Sequence, residues 1–176
     1  MELEDRLFDL VMYTLPALIV FLTSFTMLKK FFEQEQKNRM IDAKQDFSKN
    51  ILPARLQSFE RLILFLERIA PENLLIRVHK QGMSAKVFHT GLIDSIQQEY
   101  EHNLSQQVYV SNNSWEKVKH AKDETIRIVN LGMKNLKDDS TGLDLSQQIF
   151  QILTHVGKSP SIPAIEELKK EARKYF

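Results

Sequence analysis

Glu99 and His102, three residues apart, are the nearest approach in this chain to a metal-ligand motif. On a helix, positions i and i+3 share a face, so the carboxylate and the imidazole could hold one ion, as Glu-x-x-His pairs do in di-iron bundles. That architecture needs a second such motif and further carboxylates. The residues three before His79, His89, His120 and His155 are Ile76, Lys86, Lys117 and Ile152, so no second Glu-x-x-His exists. Glu116 and His120 make another pair, at i, i+4, but an antiparallel hairpin puts Glu116 opposite Ser105, near His102 at most. No phosphate loop, dinucleotide fingerprint, G-x-S-x-G elbow or His-Glu-x-x-His run is present, and no cofactor is expected. The absence of Cys removes thiol nucleophiles, thiolate zinc sites, iron–sulfur ligation and disulfides.

The same residues belong to a stripe of polar side chains on a core-facing line. Projected at about 100° per residue, Ala85, Phe88, Leu92 and Ile96 share one face of a helix. Continued, that line meets Glu99, Asn103 and Gln106. On the following helix Trp115, Val118, Ile126, Val129, Met133 and Leu136 share a face with Lys122 at its centre. If the two helices form an antiparallel hairpin turning near Val110–Ser111, Glu99 faces Lys122, Asn103 faces Val118 and Gln106 faces Trp115. The expectation is a partly buried Glu99–Lys122 ion pair. A solvated stripe where the helices outrun the core, or a functional site built on Glu99, His102 and Asn103, are the other two readings.

The elements that must position this stripe read as helices throughout. Five Gly and five Pro are few for a sandwich or barrel, and no strand-like alternation is long enough for a sheet. Ile51–Ala70 carries Leu52, Leu56, Phe59, Leu62, Ile63, Leu66 and Ile69 at helical spacing. Leu64 and Phe65 widen that face, as in a helix set between two others. Pro53 suits a first turn and Pro71 ends the segment. A short helical stretch spans Glu72–His79, followed by a turn at Gly82. Ser84 caps a helix reaching about Val108, and Ser111 or Ser114 caps another reaching Leu136. After a loop at Asp138–Gly142, Leu145, Ile149, Ile152 and Val156 mark a helix stopped by Gly157 and Pro160. Ser161 caps the last, whose cations gather near its C-terminal end. Recognition helices read bases with N-terminal residues, so these cations do not point to nucleic acid.

One segment stands apart. Leu10–Leu28 holds no charged side chain and would span about 28 Å as a helix, close to the hydrocarbon thickness of a bilayer. Its Thr and Ser hydroxyls can bond to the helix backbone. Pro16 removes an amide donor and predicts a mild kink. An acidic beginning (Glu2, Glu4, Asp5 and Asp9 against Arg6) and the lack of a small-residue cleavage site favour an anchor over a cleaved signal. Lys29, Lys30, Lys37, Arg39, Lys44 and Lys49 follow it, and the positive-inside rule then puts the N-terminus outside and the rest in the cytoplasm. The overall charge of +1 conceals this asymmetry and excludes a globally basic nucleic-acid binder. The expected organisation is an exterior segment 1–9, a transmembrane helix 10–28, a polar helical stalk 29–49 ending in a break near Asn50, and a cytoplasmic helical domain 50–176. The fold class is all-α, with a long antiparallel hairpin in the cytoplasmic bundle.

The runs ERLILFLERIAPENLLIRVHKQGMSAK (Glu60–Lys86) and EYEHNLSQQVYVSNNSWEKVKHAKDE (Glu99–Glu124) resemble an uncharacterised family of small membrane-anchored proteins of Bacteroidota. The Glu-His-Asn-x-Ser-Gln-Gln segment, Glu101–Gln107, is the most distinctive part, and the resemblance covers about residues 50–130. It implies an inner-membrane setting and carries no activity, so it transfers no catalytic residue. Two classes of function remain. One is a non-enzymatic adaptor or accessory subunit of an inner-membrane complex, with the bilayer and a membrane-protein partner or a second copy as its contacts. The other is a metal- or ligand-binding sensor or enzyme using Glu99, His102 and Asn103.

Overall fold

The computed structural model describes residues 2–134 and 136–175. The side chains of residues 1–11, 13, 41 and 43–50 lie outside the described residues, and with them the cations expected at Lys44 and Lys49. The described chain is all-α, with six α-helices, two short 3-10 segments and no strand. It divides into two compact units, Met1–Asn50 and Ile51–Phe176.

Helix α1 runs Glu2–Ile69. The break expected near Asn50 does not occur. Pro53 falls inside the helix rather than in a first turn, at the loss of one backbone hydrogen bond. In the first unit, Thr14–Met40 is long and apolar enough to cross a membrane, and none of it is buried. The expected hydroxyl pattern is present there. Thr23 donates to the carbonyls of Ile19 and Val20 at 2.9 and 3.0 Å, and Thr26 donates to that of Thr23 at 2.9 Å.

The second unit is built on the last part of α1. Phe59, Leu62, Phe65, Leu66 and Ile69 are buried. Leu64 is not: it is 54% exposed, so the face is narrower than its sequence implies. Pro71 opens α2, Pro71–Val78, after the extended backbone of Ala70. Helix α3, Ala85–Asn103, starts at Ser84, whose hydroxyl accepts from the Val87 amide at 3.3 Å. It ends one turn early, and Leu104–Val108 continues as a 3-10 helix.

Helix α4, Asn112–Lys134, is capped by Ser111, which accepts from the Ser114 amide. Its buried face includes Val118, Ala121, Thr125, Ile128 and Gly132. Lys122 therefore lies at the edge of the buried face rather than at its centre. At Gly132, α4 lies tight against α5, Gly142–Val156, since a Cβ there would lie 2.8 Å from Cγ1 of Ile149. Thr141 and Asp144 form a reciprocal capping box at the start of α5, and Gly157 ends it with φ 78°. The starts of α3 and α5 are tied together by an isolated bridge between Ser84 and Thr141.

Helix α6, Ile162–Ala172, packs on α4 and is followed by a 3-10 turn, Arg173–Tyr175. Ser161 precedes α6 but does not cap it with its side chain. Its hydroxyl donates 2.8 Å to the carbonyl of Leu66, so it holds α6 to α1 instead.

Candidate functional site

Of the residues on the expected polar stripe, Asn103 and Gln106 are buried and Glu99 is half-buried, with partners other than those expected. Asn103 and Gln106 are 6% and 8% exposed. Burial of an amide is costly unless its polar atoms are engaged. The Asn103 amide donates 2.8 Å to the carbonyl of Glu99, and that of Gln106 donates 3.2 Å to the Ser105 hydroxyl. The backbone carbonyl of Gln106 accepts from buried Ser58 on α1 at 3.2 Å. The Ser58 bond ties the 3-10 turn to α1, while the two amide bonds are local to the end of α3 and the turn.

Glu99 and Lys122 do not pair. The Glu99 carboxylate accepts from Nε and Nη2 of Arg68 at 2.7 and 2.6 Å, with Nη1 of Arg77 at 3.7 Å from the same oxygen. Lys122 lies with Nζ 4.6 Å from the centre of the Tyr100 ring and 2.8 Å from Asp123. The hairpin register is close to the expected one, since His89 meets Asn130 across it at 2.8 Å. The difference is rotational. Adjacent helix positions are about 100° apart, so when Tyr100 faces α4, Glu99 turns towards α1 and α2. Tyr100 also stacks on Trp115 at 5.8 Å.

His102 is exposed, and its Nε2 lies 3.2 Å from Nη2 of Arg61. A guanidinium only donates, so this ring nitrogen is the acceptor. Oε1 of Glu99 and the Nε2 lone pair of His102 are thus turned towards guanidinium groups. No cluster of three or more His, Cys, Asp or Glu suited to a metal occurs among the described residues.

The arrangement these residues make is a cationic groove. Arg61, Leu64, Phe65 and Arg68 of α1 and Gln98, Glu99, His102 and Asn103 of α3 line an open hollow of about 490 Å³. A second hollow of about 370 Å³ adjoins it through Arg61, lined by Ala54 and Gln57 of α1 and by Ser105, Gln106, Val108 and Tyr109. Arg61 makes no ion pair with a carboxylate among the described residues. Two guanidinium groups, Arg61 and Arg68, line this groove with one carboxylate, Glu99, which Arg68 shares with Arg77; Arg61 is left without a carboxylate, so an anionic group is its complement. Carboxylate and imidazole spacing does not reveal these arginines; their signal in the sequence is that Arg61 and Arg68 stand at i, i+7 on one helix face.

A second buried polar cluster is likewise not revealed by that spacing. Glu171 is 5% exposed and accepts from the Ser111 amide at 2.8 Å and the Ser111 hydroxyl at 2.6 Å, and from the Ser114 hydroxyl. Burial pushes its carboxyl pKa up. The hydrogen bonds of Ser111 and Ser114 and the charge of Arg55 outweigh this and hold it below the usual range. Beside it, Glu167 accepts from Lys117 at 2.8 Å and Asn113 at 2.9 Å, and the Lys117 bond lowers its pKa. Both carboxylates lie at the N-terminal end of α4, where the helix dipole favours negative charge. Their role is to fasten α6.

The chain belongs to a family of unknown function (DUF7935), whose family model matches residues 5–175. That match is consistent with the expected membership of an uncharacterised family. No curated protein and no solved structure matches the chain.

Proposed function

We propose that this family member is a membrane-anchored interaction protein with no catalysis of its own, an adaptor or accessory subunit of an inner-membrane complex in a bacterium of the Bacteroidota. The N-terminus lies outside, segment 10–28 crosses the bilayer, and the helical unit Ile51–Phe176 works in the cytoplasm. One observation carries this reading. Between Leu15 and Phe32 of α1, Leu, Ile, Val, Phe and Met side chains stand at least half exposed on every side of the helix. A helix apolar all round belongs in lipid or in a protein core, and no core covers this one. The cations that follow, from Lys29 on, support the orientation. The arginine-lined hollow between α1 and α3 supports a binding role for the helical unit.

The test is extraction of native membranes with alkaline carbonate, with a protease-protection assay of tags at either end. Retention in the membrane and protection of the C-terminal tag in spheroplasts are the expected results. Release into the supernatant, or a C-terminal tag cleaved from outside, would overturn the reading. The alternative of a sensor built on Glu99, His102 and Asn103 draws support from the groove at these residues, whose chemistry suits an anion.

A further inference from the structure

We infer that the groove between α1 and the α3–3-10 segment receives an acidic amphipathic helix of a partner protein. This rests on the interaction role proposed above and names the partner's chemistry. Arg61 and Arg68 lie seven residues apart on α1, hence about 10 Å along one face. Between them Leu64 is 54% exposed, and at the far end of the groove Val108 is 78% exposed. The surface is therefore a row of cation, apolar side chain and cation, continued past Arg61 by Gln57.

A helix laid along it answers with an apolar anchor flanked, one turn to either side, by carboxylates, as amphipathic helices do in grooves. Charge complementarity sets the sign of that partner. Arg68 and Arg77 share the single carboxylate of Glu99, and Arg61 has only the imidazole of His102. Glu60 and Glu67 lie on the other flank of Leu64, about 100° round the helix from Arg61 and Arg68, and do not line the groove. The shape favours a helix over a small molecule. Small-molecule sites are concave and enclose their ligand, whereas these two adjoining hollows form an open trough along α1. No strand edge exists among the described residues to pair with an extended peptide.

The experiment is fluorescence anisotropy with the full chain in non-ionic detergent. The probe is a labelled synthetic helix with a central leucine and glutamates one turn to either side. Its counterpart carries lysines in place of the glutamates. The expected result is binding of the glutamate helix at least about tenfold tighter than the lysine helix, weakened by added salt. Arg61→Glu should abolish that preference. Arg61→Gln, which adds no new charge, should reduce it and serves if the first variant loses its helical circular dichroism. Equal affinity for the two probes, or a preference indifferent to both variants, would overturn the inference. So would displacement of the glutamate helix by inorganic phosphate at matched ionic strength, which marks a small-anion site. Self-association of the chain abolished by Arg61→Glu would assign the groove to a second copy and overturn it too. A chain released by carbonate that still discriminates the probes defeats only the anchoring proposal. One retained in the membrane that does not discriminate defeats only this inference.

Discussion

The ammonium of Lys122 rests over the ring of Tyr100, 4.6 Å from its centre, across the hairpin of α3 and α4. Tyr100 is itself stacked on Trp115 and in contact with Phe65, so the cation sits at the rim of an aromatic group that reaches into the core. A cation in this place is held by the ring's quadrupole and by Asp123.

This geometry predicts a coupling between Lys122 and Tyr100. In a double-mutant cycle of Lys122→Met and Tyr100→Leu, followed by denaturant unfolding of the full chain in detergent, the interaction energy should be about 0.5–1 kcal/mol. Glu99→Gln combined with Lys122→Met should be additive within about 0.5 kcal/mol, because the two groups share no contact. A Glu99–Lys122 coupling larger than that of Lys122 with Tyr100 would contradict the structure.

Glu99 should couple to Arg68 instead. The bond is short, but Arg68 is about half exposed, so solvent screening limits the interaction to about 0.5–1 kcal/mol. Raising the salt concentration should reduce the measured coupling. A salt-independent value of several kcal/mol would mean that the pair is far better shielded than its exposure allows.

Glu171→Ala should destabilise by about 1–3 kcal/mol, because it strands the buried Ser114 hydroxyl and removes the acceptor of Ser111, whose own donors can turn to water. The pH dependence follows from the lowered pKa. The folded state holds the charged carboxylate more tightly than the unfolded chain does. The stability it contributes is present above the ordinary carboxylate range and is lost as pH falls through and below about 4. Unfolding midpoints compared between pH 7 and pH 3.5 should fall more for the native chain than for Glu171→Gln. Equal falls would remove Glu171 from the acid response.

Gly132→Ala should also destabilise, by about 1–3 kcal/mol, although alanine is the better helix former. The added methyl would meet Ile149 at 2.8 Å and Leu145 at 3.2 Å, forcing α4 and α5 apart. In an Ile149→Ala background, which lacks the Cγ1 that the new methyl meets, the further cost of Gly132→Ala should be smaller. A stabilised Gly132→Ala would show that the two helices are not in close contact.

The helix boundaries were legible where local chemistry decides them. Ser84, Pro71 and Gly157 act on their own turns, so capping and backbone rules reach them. Pro53 sits inside α1 rather than in a first turn because the stability of a long helix outweighs the loss of one hydrogen bond. Ser161 does not cap α6 because a tertiary acceptor, the carbonyl of Leu66, engages its hydroxyl instead. On α4 the buried face is partly Ala121, Thr125 and Gly132, residues too small or too polar to register in a hydrophobic pattern, so Lys122 was drawn to the centre of a face it only borders. At the groove, the register of the hairpin was close, but a rotation of one residue decides whether Glu99 or Tyr100 meets Lys122. Nothing local points from Glu171 to Ser111, and periodicity carries no information over that distance.

That separation bears on folding kinetics. The contact joining Glu171 to Ser111 closes a loop of 60 residues, and its geometry requires α4 and α6 to be formed and docked first. Such a tie contributes little to the transition state, where nearby helices are only condensing. Its loss should therefore leave the refolding rate almost unchanged and raise the unfolding rate. The Glu171 carboxylate is then a latch on the finished bundle, setting how long the assembled unit lasts rather than how fast it forms.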